Sequence, residues 1–297
     1  MKTKLPRNVW VMTAASFLTD VSSEMVNNLV PLFLANVLGA RTGTIGLVEG
    51  VVESMSSFIK LLSGWWSDRV VSRKPPTVIG YTLSAVSKPL LAFAGSWAAV
   101  LAARFGDRMG KGVRTAPRDA LLADSVPAEG RGAAFGFHRA GDSLGAVVGL
   151  ALALLAVWLT QGNALALDRA TFQRIALFSA VPALLAVLVL ALGLREVRRA
   201  APAVGRPILG SFRAMPPAFR RFLLIFALFT LGNSADAFII LRAQERGLTV
   251  LGVLATLLAF NAVYTVVAGP AGRLSDRIGR PRLILAGWGV YFAIYLG

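Results

Sequence analysis

Eight stretches of this sequence are apolar for long enough to cross a lipid bilayer and a ninth, 283–297, covers 15 residues, and that limits the fold more than any other feature. A helix rises about 1.5 Å per residue and needs roughly 20 mostly apolar residues to pass through about 30 Å of hydrocarbon. Such stretches are read at 9–37, 44–66, 76–94, 97–122, 132–160, 172–194, 222–242, 249–271 and 283–297. Inside hydrocarbon every backbone N–H and C=O needs a partner within the protein, which leaves helices or closed barrels. Runs this long are helical, so the expected fold class is an all-α polytopic membrane protein. Hydrophobic residues make up 56% of the 297 residues and charged ones 15%, which excludes an ordinary soluble enzyme and a disordered chain. There is no cysteine and only one histidine. Disulfides and multi-histidine metal sites are therefore excluded, and no metal or cofactor is expected.

The net charge is +16. In a soluble protein that excess would suggest nucleic acid. Here the bases punctuate apolar runs, so no nucleic-acid partner is expected. Lys2, Lys4 and Arg7 precede the first span, and Arg69, Arg73 and Lys74 follow the second. Arg131 follows the fourth, and Arg195, Arg198, Arg199, Arg206, Arg213, Arg220 and Arg221 lie between the sixth and seventh. The opposite loops hold only Arg41, Arg169, Arg174, Arg242 and Arg246. Short basic loops stay in the cytoplasm, so the N-terminus is expected there, in a multi-pass protein of the cell (inner) membrane. The stretch 196–221 also holds Pro202, Pro207, Pro216 and Pro217. It reads as a cytoplasmic linker between a six-helix bundle, residues 1–195, and a partial second bundle, residues 222–297, holding spans seven to nine.

An internal repeat supports two bundles. Gly64-Trp-Trp-Ser-Asp68-Arg69-Val-Val-Ser-Arg73-Lys74 follows the second span, and Gly272-Arg-Leu-Ser-Asp276-Arg277-Ile-Gly279-Arg280-Pro-Arg282 follows the eighth. The offset is constant: 272−64, 276−68 and 277−69 each give 208. Repetition six spans apart suggests two bundles related by an axis along the membrane normal. The motif resembles the signature loop of the major facilitator superfamily, with Val71 in the first copy where glycine is usual and one residue inserted before Arg73. Arg108-Met-Gly-Lys111-Gly112-Val-Arg114 in span four resembles a second motif of that family. Gly141-x-x-x-Gly145-x-x-x-Gly149 in span five is similar to its glycine-rich antiporter motif, although such spacing by itself marks close helix packing. Longer strings, such as Leu-Thr-Asp20-Val-Ser-Ser-Glu24, resemble one uncharacterised prokaryotic branch. The resemblance implies a major facilitator fold. It also implies a conformational latch built from Gly64, Asp68, Arg69 and Arg73 and their counterparts Gly272, Asp276, Arg277, Gly279 and Arg280. Twelve spans are the rule in that family, so a chain of nine is expected to be a C-terminally truncated product, and the complete protein a monomer.

Ionisable residues inside a span cost at least ~2.5–3.5 kcal/mol each at the bilayer centre, so they need partners or water. Asp20 and Glu24 share one face of span one at i,i+4. Glu49 and Glu53 do so on span two, and Arg104 and Arg108 share one stripe of span four. Arg139 and Asp142 belong to span five, and Asn233 and Asp236 to span seven. The resemblance implies that spans one, four and seven line a central cavity, with Arg108 the natural counter-charge to Asp20 and Glu24. An acid pair in such a place can load and release a proton. The expected function is secondary transport of a small solute by alternating access, coupled to protons. Efflux of an organic compound is favoured over uptake of a polar metabolite, and a non-transporting receptor or scaffold is the third reading. An enzyme is not expected: Gly106-x-x-x-Gly110-Lys111-Gly112 lacks the spacing and the Ser/Thr of a phosphate loop, and no nucleophile–base set is present.

Overall fold

The structure, a computed structural model, describes residues 5–197, 215–232 and 235–296, with side chains described except at 268–273, 275–277, 280 and 294–296. Among these residues there are helices and turns and no strand. Helix α1 is Arg7–Asn27, prolonged by Val30–Leu32 and a wider π-helical turn at Phe33–Val37. Helix α2 is Thr42–Ser67, and α3 is Lys74–Ser87. Pro89 has no N–H to offer the helix ladder, and the chain tightens to a 3₁₀ segment over Lys88–Phe93. Helix α4 is Trp97–Asp124, α5 is Arg131–Gln161 and α6 is Arg169–Gly193. Side-chain oxygens open two of them: Ser96 accepts the Ala99 N–H, and Asp168 the Thr171 N–H. The remaining helices are α7 (Pro217–Leu231), α8 (Asp236–Glu245), α9 (Val250–Ile278) and α10 (Arg280–Leu296).

Spans one to six each emerge close to their expected limits. Span seven does not: the helix stops at Leu231, and a second one starts at Asp236, whose acidic side chain suits a helix N-terminus. Helix α9 runs on through the second motif to Ile278, and the turn into α10 rests on Gly279 alone, at φ +88°. Only glycine adopts such a φ freely. The first motif needs no such residue. Its extra residue lengthens the loop, and Val71 keeps an ordinary backbone, since no described non-glycine residue has positive φ. Among the described residues, four helical stretches are long and apolar enough to cross a membrane: 128–161, 169–193, 217–245 and 250–267. The earlier helices carry the charges that depress their hydropathy.

Helix α1 packs against α5 and α6, and α4 against α2 and α3. Glycines set the approach. A Cβ at Gly110 would stand 2.5 Å from the Gly80 carbonyl oxygen, so α3 and α4 touch backbone to backbone. Two apolar clusters fill the bundle. One gathers Val9, Met12, Ala15, Leu121, Leu122, Ala134, Ala186 and Leu190 at the end that carries Asp68. The other gathers Leu29, Phe33, Val48, Val100, Ala153 and Phe172 at the far end. Helices α1, α4 and α5 carry buried polar residues between these apolar portions, whereas α6 is apolar through its middle apart from Ser179. Helices α8 and α9 join the far cluster through Ala237, Ile240, Val250 and Leu254. There the Val250 N–H donates to Ala164 O at 3.1 Å, and Gln244 Nε2 to Leu165 O at 2.6 Å.

At the Asp68 end, the chain leaving α6 is bolted to the bundle. Asn8 Nδ2 donates to Arg195 O at 2.9 Å, and the Arg195 N–H returns a bond to Asn8 Oδ1 at 3.0 Å. The Glu196 carboxylate accepts the backbone N–H groups of Arg73 and Lys74, each at 3.0 Å, at the start of α3. An anion belongs there, where unpaired N–H groups and the helix dipole converge.

Candidate functional site

The layer between the two apolar clusters holds the chain's buried charge. On its α2 side, Arg104 and Glu49 form a short, buried ion pair. One turn along, Arg108 Nη2 meets Glu53 Oε1 at 2.9 Å, with Glu53 more than half exposed. The expectation that Arg108 answers Asp20 and Glu24 is thereby corrected: α4 is turned so that the Arg104–Arg108 stripe faces α2. Gly112 fixes that rotation, since a Cβ there would stand 2.6 Å from Ile59 Cγ2 on α2.

On the α3 side, Lys88 is 1% exposed. Its ammonium donates to Thr19 O at 3.3 Å and Ser22 Oγ at 3.2 Å on α1, and lies 4.0 Å from Asp107 Oδ1. Asp107 is also bonded by the Ser84 hydroxyl. Arg114 is buried with its guanidinium 4.1 Å above the Tyr81 ring, and its Nε and Nη1 have no hydrogen-bond partner. Stacking on an aromatic face suits a guanidinium held out of water. Arg118 donates to Asp119 at 2.8 Å and to Ser16 Oγ at 3.2 Å.

Asp20 sits on α1 against Gly145 of α5 and lies within electrostatic reach of Asp142 on α5 and of Lys111, Arg114 and Arg118 on α4. Glu24, a turn deeper, accepts from Asn28 Nδ2 at 2.8 Å. Asp142 is 4.0 Å from Arg139, which is exposed, and 3.8 Å from His138. The α5 glycines stand where α1 comes closest. A Cβ at Gly141 would stand 2.5 Å from Thr13 Cγ2, one at Gly145 2.6 Å from Phe17 O, and one at Gly149 2.9 Å from Glu24 Cβ. Asp236 is exposed in the first turn of α8. Asn233 lies outside the described residues.

In the first motif loop, Asp68 caps α2, with its carboxylate largely exposed and 3.9 Å from Arg73. Arg73 itself is buried and makes a much shorter ion pair with Asp124 at the end of α4. Arg69 donates to Trp65 O at 2.8 Å and lies over that ring. Gly64 is in ordinary contact with Ala116. The side chains of Gly272, Asp276, Arg277 and Arg280 lie outside the described ones. The sequence marks Lys88, Asp107 and Arg118 as ionisable residues inside spans, and Arg114 as part of the span-four motif, without assigning them to the site, and it does not mark Asp124 or Glu196. A helical stripe through α4 carries the signal for Arg118, whereas nothing in the sequence singles out Glu196.

A helical bundle with ion pairs buried between apolar layers and bases gathered at one end has the architecture of a polytopic membrane protein. The family model of the Major Facilitator Superfamily matches residues 12–297, and the chain belongs to that superfamily. An uncharacterized MFS-type transporter of Methanocaldococcus jannaschii, MJ1317, is 35% identical over 99% of this chain and 72% of its own length. Among solved structures, a bacterial homolog of the human lysosomal transporter Spinster, inward-facing and unoccupied, superposes with a TM-score of 0.70 at 19% identity. The match covers 94% of this chain and 64% of that one. The nucleoside transporter NupG, as its D323A mutant, gives a TM-score of 0.72 at 13% identity, over 91% of this chain and 69% of its own. At such identities these structures bear on the fold alone.

Proposed function

We propose that the protein moves a small organic solute by alternating access coupled to protons, outward across the cell membrane, with its N-terminus and the 196–221 segment in the cytoplasm. The six helices of residues 1–195 act as one rocking body, and residues 222–297 contribute to the other. The observation that carries this reading is Asp20: a carboxyl group within electrostatic reach of a second carboxyl group, Asp142, and of three bases inside the bundle. Such a group gains or loses a proton according to its surroundings, and since these neighbours share its body, what rocking changes is its access to water and to the other bundle. Export is favoured by the Gly141–Gly145–Gly149 stripe, and a cytoplasmic N-terminus by the basic ends of the helices. The superfamily supports transport of a solute in general.

The test begins with a ligand screen by thermal stabilisation, because a compound that binds the folded state raises its melting temperature. The compound found is then followed into inverted vesicles under an imposed pH gradient. Asp20→Asn abolishes gradient-driven accumulation and leaves solute exchange in place. Glu24→Gln, whose carboxylate is held by Asn28, has the smaller effect. Undiminished accumulation by both variants would sink the proton-coupled reading, and accumulation only in right-side-out vesicles would reverse the direction.

A further inference from the structure

His138 is the only histidine in the chain and is 1% exposed. Its Nδ1 lies 3.5 Å from Thr13 Oγ1 on α1, and its Nε2 lies 3.8 Å from Asp142 Oδ1, one turn further along α5. Neither Nε2 nor Oδ1 has a hydrogen-bond partner. Buried polar atoms left unpaired are rare, and each calls for a reason. These two are complementary and stop about 0.6 Å beyond the hydrogen-bond range. A small rotation of the Asp142 carboxyl closes the gap.

The surroundings place the pair on a file. Asp20 on α1 lies within electrostatic reach of Asp142. Arg118 and Asp119 face the imidazole from α4, and Arg139 from its own helix. Gly141 and Gly145 bring α1 close enough for this, with Thr13 against the first and Asp20 against the second. Asp20, Asp142, His138 and Thr13 thus succeed one another along the α1–α5 interface toward the Asp68 end.

We propose that His138 and Asp142 are a proton-transfer pair linking Asp20 to the Asp68 end of the bundle. The inference rests on the proton-coupled reading and adds the route. Protonated Asp142, having taken its proton from Asp20, breaks its O–H bond as an N–H bond forms at His138 Nε2. The imidazolium then releases its Nδ1 proton through the Thr13 hydroxyl to solvent at that end. This leaves a neutral ring in the other tautomer and an Asp142 carboxylate ready to accept again. Imidazole suits the task because its two nitrogens exchange donor and acceptor roles.

A single histidine makes the test direct. The 297-residue chain, labelled with ¹⁵N-histidine and reconstituted in lipid bilayers, gives one imidazole whose protonation and tautomer are read by solid-state NMR against pH. Asp142→Asn moves the midpoint of that titration by about one pH unit or more, as expected for a charge less than about 4 Å away. Asp20→Asn moves it by less, and Arg131→Gln, seven residues away on the same helix, leaves it in place. The wild-type ring populates both neutral tautomers, and Thr13→Val biases them to one. A midpoint unmoved by both Asp142→Asn and Asp20→Asn would overturn the pair. If Asp142→Asn fails to fold, Asp142→Glu and Asp20→Asn decide. The readout needs no solute, so it is separate from the coupling test. An unmoved midpoint removes the route while leaving coupling through Asp20. A moved midpoint in a protein whose transport ignores the pH gradient removes the coupling, and the route with it.

Discussion

Replacing Gly145 by alanine puts one methyl group where α1 and α5 are in backbone contact. The added Cβ would stand 2.6 Å from the Phe17 carbonyl oxygen, 3.1 Å from Asp20 Cβ and 3.2 Å from the Phe17 carbonyl carbon. Carbon and carbonyl oxygen settle near about 3.3 Å, so the helices must part by roughly 0.7 Å at this level. Two of the three obstacles are main-chain atoms of a helix, which cannot swing aside as a side-chain tip can. Overpacking of this kind costs about 1–3 kcal/mol. Against it stands a gain of up to about 1 kcal/mol, because alanine is the better helix former. Gly136, nine residues earlier in α5 and exposed, meets nothing within 4 Å and isolates that gain. Gly145→Ala is therefore expected to be about 1–3 kcal/mol less stable than Gly136→Ala, or about 5- to 150-fold in the folding equilibrium. Reversible unfolding in mixed micelles titrated with SDS, followed by helical circular dichroism, measures both variants. Equal stability of the two, within about 0.5 kcal/mol, would refute the backbone contact and with it the reason Asp20 reaches Asp142.

The Arg104–Glu49 pair is buried on both sides. Glu49→Gln strands the guanidinium, an error that costs about 3–5 kcal/mol, whereas Glu49→Gln with Arg104→Met recovers most of it in the same assay. The first motif loop makes a contrasting case. Asp68→Asn changes stability by less than about 1 kcal/mol, because its carboxylate is exposed and 3.9 Å from Arg73, and Asp124→Asn changes it by more. If Asp68 latches one conformation, Asp68→Asn lowers transport in vesicles while membrane insertion persists; normal transport would dismiss the latch.

Spans one to six were legible because each apolar run is bounded by charge, proline or a capping residue and stays helical to those bounds, with a turn at Asn28–Leu29 in the first and a 3₁₀ end in the third. Span seven looked equally continuous from 222 to 242, since hydropathy is blind to where a helix stops inside an apolar stretch. Conversely, Gly272 to Ile278 looked like a loop by its charge, but Arg273 to Ile278 contains neither proline nor glycine, and α9 runs through Gly269, Pro270 and Gly272 to Ile278. The acid and base stripes of α2 and α4 were legible as stripes. Their pairing was not, because it depends on how far each helix is turned about its own axis. That angle is set by tight glycine contacts such as Gly112 on Ile59 and Gly110 on Gly80, which no single-sequence pattern reveals. Lys88 is the plainest case. A lysine in an apolar run reads as an anomaly until the Thr19 carbonyl and Asp107 are brought to it from two other helices.

The geometry also sorts the charges by what they can do during a movement of bundles. Glu49 with Arg104, Lys88 with Asp107 and Arg73 with Asp124 are joined within residues 1–195, between helices that touch through glycine or through buried apolar side chains. A rocking of that body as a unit leaves those pairs intact, and separating them would strand a buried charge at a cost of several kcal/mol. They hold the body rigid. Asp20 differs, because its neighbours are two other kinds of group at once: bases on α4, which are already shared with Asp119 and Tyr81, and a second acid on α5. No one partner fixes its charge, and since those partners ride in the same body, what a rocking of that body would alter is the access to Asp20 from either side. Rigidity in the paired charges and ambivalence in Asp20 are therefore two consequences of the same packing, and it is the ambivalent group that a moving interface can load and unload.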